Sequence, residues 1–275
     1  MKTTFFKQLS ILLLALVIGF GAVGCEQLKK ELGISDELAT ADEKMDVVED
    51  FGASFAGSDE GAPEFWVSED MPVSPAPGLD LVGRIFHFRK DTTFIRKGLT
   101  VTIDRTFFTL DSVPSEQYDS LTSAWVTRKV TVKGTYTGVN RTAKIDHIGQ
   151  IKVQQIAPAD TIHLFNGAGG RTVESSFKAR WRNVQRTFKA NHQWSMKNVH
   201  IYRDREAHPY PIDGSLSVNS VVKRTVTNNQ GTTTKEILVS YTVTFDGSGY
   251  AKIDLLDGGT YWISLADGTT YEQKP

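Results

Sequence analysis

The chain has 275 residues, a net charge of −1, 40% hydrophobic residues and a single cysteine. One cysteine excludes a disulfide scaffold, so the folded part must hold by its core, and a chain of this length can bury one. The small net charge is a sum of unlike parts: residues 26–80 carry 15 acidic and 3 basic side chains (net −12), and residues 81–275 carry 17 acidic and 26 basic (net +9).

At the start of the chain, Met1–Gln8 contains Lys2 and Lys7 and no acid. The run LSILLLALVIGFGAV that follows is apolar apart from Ser10, and Ala22, Val23 and Gly24 precede Cys25. A basic start, an apolar middle and a small-residue close form the layout of a secretory signal peptide. The apolar run is about fifteen residues, short of the roughly 20 that span a bilayer as a helix. With Cys25 directly after it, the stretch resembles the lipobox of bacterial lipoproteins, although Ala22 stands where that family usually has Leu. The resemblance covers residues 1–25 and implies a diacylglycerol thioether on Cys25, cleavage before it, and acylation of the new amino group. Two or more acyl chains anchor a protein stably. The expected partner is therefore a membrane, reached through the N-terminal lipid. In the Gram-negative sorting pattern of that family an Asp after the cysteine retains the protein in the inner membrane, so the resemblance, with Glu26 there, implies the outer membrane of a bacterial envelope.

Signal peptide 1–24 is followed by an acidic stretch, residues 25–80. Within it, SDELATADEKMDVVEDF predicts a short helix: Thr40 with Glu43 three residues on fits a capping box. Acidic residues crowd its first turn, where the helix dipole favours them, and Leu38, Met45 and Val48 make a short apolar stripe. The expected role is a solvated spacer. Pro63, Pro72, Pro75 and Pro77 then mark a partly extended tether.

Residues 81–275 read as β. In KEILVSYTVTF, Ile237, Val239, Tyr241, Val243 and Phe245 alternate with Leu238, Ser240, Thr242 and Thr244. That period of two is the mark of a half-buried antiparallel strand. SLSVNSVVKRTVT before it, the turn NNQGT between, and the later YAKIDLL and TYWISL make a four-strand meander. Earlier strands are expected in LVGRIFHF, GLTVTIDRTFFTL, AWVTRKVTVKGTYTG and AKIDHIGQIKVQQI. FKARWRNVQRTF fits a helix, with Phe177, Trp181, Val184 and Phe188 on one stripe, and also alternates as a strand; its flanks favour β. The expected fold is all-β, an antiparallel meander forming a sandwich or a half-open barrel after a short helical or extended N-terminal spacer. A membrane-spanning barrel is excluded by the lack of aromatic girdles and by the chain's close on EQKP.

Chemistry is sparse. His87, His147, His163, His192, His200 and His208 form no H-E-x-x-H and no i, i+4 pair, and read as scattered strand or surface histidines. Ser175 and Lys178 match S-x-x-K, but no K-T-G accompanies them. NGAGG at 166–170 lacks a P-loop lysine and reads as a turn. Asp246, Asp254, Asp257 and Asp267 sit at turns, where aspartate bonds its own backbone, rather than as a calcium rim. The expectation is a protein that is not an enzyme, with no metal and no cofactor.

One segment, residues 171–205, interleaves nine basic residues with Phe177, Trp181, Phe188, Trp194 and Tyr202. Basic side chains beside aromatic faces suit anionic glycans or lipid head groups, and export argues against nucleic acid. Candidate contact residues are Lys178, Arg180, Trp181, Arg182, Arg186 and Trp194. A sheet with buried aromatics on one face and solvated Lys and Arg on the other explains the same pattern, and the acidic spacer folded back on that face is a third reading. Together these point to a non-catalytic binding or structural module, with a carrier of apolar or lipid ligands as the alternative.

Overall fold

The computed structural model describes residues 40, 43–44, 47–48, 91–96, 98–137, 141–157, 159–178, 185–204, 207–228, 231–256, 258–266 and 268–275. The fold is all-β. Its strands are β1 (Asp91–Arg96), β2 (Leu99–Thr109), β3 (Pro114–Ser115), β4 (Ser123–Thr137), β5 (Arg141–Gln154) and β6 (Ile162–Lys178). They continue with β7 (Gln185–Tyr202), β8 (Asp213–Asn228), β9 (Gly231–Phe245), β10 (Tyr250–Leu255), β11 (Thr260–Ser264) and β12 (Thr270–Tyr271).

All twelve strands lie in one antiparallel sheet. Each pairs with its sequence neighbour, except that β2 pairs with β4 and the two-residue β3 pairs with β2 off this path. The earlier strands and the later meander are joined by the β5–β6 ladder. The result is a single open meander rather than two packed sheets. Its connections are short because the turn chemistry is local. Asn228 pairs with Gly231 across a two-residue loop, and Gly231 takes φ +131°, a conformation that residues with a Cβ rarely adopt. The expected strand LVGRIFHF lies outside the described residues. In FKARWRNVQRTF, β6 runs through Lys178 and β7 starts at Gln185, so its described ends are strand; residues 179–184 lie outside the description.

Alternation defines two faces. The face with Ile237, Val239, Tyr241, Val243 and Phe245 is buried, and so is its counterpart on every long strand. We call it the inner face. A single layer can bury a whole face only by curling over itself or by carrying chain across it. Two apolar clusters occupy the inner face. The smaller includes Leu99, Val101, Ile103, Val130, Val132, Tyr136 and Ile145; the larger runs from Phe107 on β2 to Ile263 on β11.

A helical turn belongs to the larger cluster. Lys44 N–H donates to the Thr40 carbonyl at 3.0 Å. The capping box forms as the sequence predicts: Thr40 N–H donates to Glu43 Oε2 at 2.8 Å, and Glu43 N–H to Thr40 Oγ1 at 3.3 Å. The turn is not solvated, however. Val47 and Val48 are 1% and 0% exposed within the sheet's core, and burying a valine contributes on the order of 1.5–3 kcal/mol. The expectation of a solvated segment is corrected at this turn, where Glu43, Val47 and Val48 are buried; the rest of the spacer lies outside the described residues. Leu38 and Met45 of the expected stripe lie outside the described residues.

The inner face as a candidate binding face

Strand register lines up a polar row inside the apolar face. His147 on β5 lies opposite Arg171 on β6, Arg171 opposite His192 on β7, and His192 opposite Ser220 on β8. One row away stand Ile145, Val173, Ala190 and Val222; on the other side stand Gly149, Gly169, Trp194 and Val218. Arg171 is 1% exposed, among the largest fully buried side chains. Nearer the other end of the strands, Arg105 on β2 faces Arg128 on β4, both buried. Buried charges cost several kcal/mol unless they meet partners, and Arg105, Arg128 and Arg171 each have further interactions within the protein. Among the described residues, the buried carboxylate is that of Glu43 on the helical turn. Its Oε2 lies 3.1 Å from Lys235 Nζ, and its Oε1 lies 3.9 Å from Arg224 Nη1. Burial alone would raise this carboxyl's pKa; the Thr40 N–H, Lys235 and Arg224 together outweigh that and hold it below the usual range.

The imidazoles of the inner face are tuned by the same surroundings. Burial, helped by the Arg171 charge and opposed by Asp146, pushes His147 down to about 3. It is therefore neutral at ordinary pH. Its ring stacks on the Trp194 indole, centroids 5.7 Å apart and planes 9° apart. His163 is also pushed down, mainly by burial, and its Nδ1 lies 2.7 Å from the Gln155 carbonyl, which can only accept. His192 Nδ1 and Ser220 Oγ lie 2.7 Å apart. That is nucleophile–base spacing, yet both residues are 0% exposed, so we read the contact as a cross-strand hydrogen bond within the core.

The glycine-rich stretch Asn166–Gly170 is not a turn; it lies inside β6. The reason is Trp194. A Cβ on Gly149 or on Gly169 would sit 2.6 Å from the indole Cζ2, so the two glycines, opposite each other, form the floor of the indole's slot. Asn166 sits at a register shift of the β6–β7 ladder, and its Oδ1 accepts from Asn198 N–H at 2.9 Å.

Of the candidate contact residues, Arg186 and Trp194 both lie buried on the inner face of β7, eight residues apart along the strand, so the structure does not bring them together. Lys178 ends β6, but its side chain is outside the description, as are Arg180, Trp181, Arg182 and Cys25. The expected split of solvated cations from buried aromatics holds only in part. Thr187, Lys189, Asn191, Gln193, Ser195 and Lys197 face outward on β7, and Lys189 pairs with Glu174 at 2.7 Å. Arg186, by contrast, is buried beside Phe188. Ser175 is buried on the inner face. Asp246 makes an aspartate turn: Oδ1 accepts from Ser248 N–H and Oγ, while Oδ2 pairs with Lys274 at 2.8 Å. Lys274, then Ser248, push its carboxyl down to about 2. Asp254 accepts from Thr260 Oγ1 at 2.8 Å; Asp257 and Asp267 lie outside the description. Among the described residues, no three His, Cys, Asp or Glu side chains come together as a metal site. No protein-family model, curated protein or solved structure matches the chain.

Proposed function

We propose that the protein is a lipid-anchored, non-catalytic binding module of the bacterial envelope, and that its inner face takes an anionic amphiphile. The observation that carries this reading is Arg171, buried in a polar row between two apolar rows. A guanidinium in such a place suits the bidentate grip of a phosphate or carboxylate head group, while the apolar row of Ile145, Val173, Ala190 and Val222 suits its chains. Arg105 and Arg128 extend the cationic lining. This moves the candidate contact from the outer Lys/Arg surface to the inner face and brings the binding module close to the carrier reading. The anchor rests on the resemblance of residues 1–25 to a lipobox.

Native mass spectrometry on the full chain, extracted from a bacterial envelope in mild nonionic detergent, tests the ligand. The expected spectrum carries extra mass of an anionic lipid, released on collisional activation; a bare polypeptide, beyond its own acyl groups, overturns the reading. For the anchor, Cys25→Ser is expected to accumulate as an uncleaved precursor without lipid. A mature-sized product released from the membrane would refute the lipobox.

A further inference from the structure

We infer that the long connection between β2 and β4, residues 110–122, is a docking loop for a basic amphipathic segment of a protein partner. It is a second interaction surface, separate from the inner face and independent of the ligand proposed above.

Hairpin connections commonly take two to five residues, and the β8–β9 loop is of that kind. The β2–β4 connection takes thirteen, with β3 inside it. Its backbone is nonetheless fixed along its length. Thr109 N–H donates to the Val113 carbonyl at 3.1 Å, and β3 pairs back on β2. Leu121 N–H donates to Asp119 Oδ1, and Ser123 N–H to the Asp119 carbonyl, both at 2.8 Å. Tyr118 fastens the middle of the loop: it is buried, its Oη donates to the Ile156 carbonyl at 2.9 Å, and its ring meets Phe107 edge-on.

Held in this way, the loop presents apolar side chains to solvent. Leu110, Val113 and Leu121 are 84%, 57% and 93% exposed, and they are half of the six large apolar residues so exposed among the described residues. Apolar residues exposed singly need no explanation, whereas a group of them on a rigidly positioned loop marks an interaction site. At the root of the loop the outer face adds Phe108 and Trp125, with parallel rings and centroids 5.4 Å apart. Lys152 Nζ sits 4.4 Å over the Trp125 ring, the contact that a partner's Lys or Arg would make with an aromatic face.

Charge selects the kind of partner. Asp111, Glu116 and Asp119 are exposed in the loop, which has no basic residue and so a net charge of −3. The remainder of residues 81–275, which total +9, therefore carries +12. An anionic surface is drawn to that remainder and repelled by the loop, while a basic segment is steered to the loop. Acids interleaved with leucine and valine match a segment that carries lysine or arginine beside its own apolar stripe.

The test uses the full chain in phosphatidylcholine nanodiscs, with empty discs as the reference. The probe is a dye-labelled amphipathic peptide of leucine and lysine, read by fluorescence anisotropy, and its counterpart with glutamate for lysine is the control. The lysine peptide should bind roughly tenfold tighter than the glutamate peptide. Leu110→Ser with Leu121→Ser, and separately Asp111→Asn with Glu116→Gln, should each weaken its binding roughly tenfold, with β-type circular dichroism unchanged. Leu256→Ser, which removes a similarly exposed leucine from the β10–β11 turn, should leave binding as it was. Parent-level binding by both double variants overturns the inference, as does equal affinity for the two peptides. Brominated phosphatidylcholine identifies the bilayer as the occupant instead: tryptophan quenching in the parent that is relieved in the leucine variant assigns the loop to the membrane surface and overturns the protein partner. Loss of the β signal in the leucine variant shows those side chains to be packed rather than presented, and overturns it too.

Discussion

Truncating Trp194 to alanine is expected to destabilise the protein by about 3–5 kcal/mol, the range for removing a large buried aromatic. The cost should fall at the upper end because of what surrounds the ring. Cavities are cheaper when neighbouring side chains relax into them, and the floor of this slot is backbone. Gly149 and Gly169 have no side chain to offer. His147, stacked above, would lose its partner face. The converse substitution makes the same point from the other side. At Gly169 an alanine Cβ would meet the Ile148 carbonyl oxygen, the Gly149 Cα at 2.7 Å and the indole at 2.6 Å. Two of these obstacles are backbone, so Gly169→Ala should cost about 3 kcal/mol, at the high end for overpacking. Gly170→Ala is the control. There the nearest atom is the Gln193 side-chain amide at 3.1 Å, on the exposed face and able to swing away, and little change is expected. Urea-melting midpoints of the three variants decide it; a loss below about 1 kcal/mol for Trp194→Ala would mean that the slot is loosely filled.

Acid should weaken the fold well above the range in which carboxylates titrate. His147 in the folded protein is held at about 3, whereas an unfolded histidine titrates near 6.5. A depressed folded value means that the unfolded chain binds the extra proton first. His147 therefore contributes its full share above pH 6.5, and that share is lost as pH falls through the window from 6.5 towards 3. By linkage the loss is about 2 kcal/mol on reaching pH 5. His163 shifts in the same direction and adds to the slope. Glu43 does not enter this window: its lowered carboxyl contributes stability above the ordinary value of 4.5 and loses it only in stronger acid. Urea midpoints measured at pH 7.5, 6 and 5 should fall steadily for the parent protein. In His147→Gln, which keeps a neutral polar group, the slope should be markedly shallower. A flat parent profile over this range would show that the imidazole is reachable by water in the folded state.

Much of the architecture was legible in the residues, for a plain reason. Alternation over fifteen-residue strands and Gly- or Asn-rich turns are local signals, and a meander is built from local pairs. The capping box at Thr40 and Glu43 was visible for the same reason. What sequence reading missed was the consequence of parity for polar residues. In AKIDHIGQIKV, His147 shares the parity of Ile145, Ile151 and Val153. In RTVESSF, Arg171 shares that of Val173, and in QRTFKANHQWSM, Arg186 and His192 share that of Phe188, Trp194 and Met196. Following parity rather than polarity places them inside. The glycines of NGAGG were misread because turn chemistry is a property of one residue, whereas their reason for being glycine lies on β7, some 25 residues later in the chain. The burial of Val47 and Val48 was missed because the acidic composition around them outweighed two adjacent valines.

The pairing of nearly every strand with its chain neighbour also governs how the sheet can be assembled. The entropic cost of bringing two segments together grows with the chain between them, and here each ladder asks only that one hairpin close before the next. Among the described strands, none waits for a partner from the far end of the chain, as a central strand would in a Greek key or a parallel crossover. Structure can therefore accrete in linear order, each new hairpin templated on the edge left by the last. Topologies of this kind keep sequence separation, and with it the folding barrier, low for an all-β protein. A chain emerging end-first during synthesis has no need to be complete before its first ladders form.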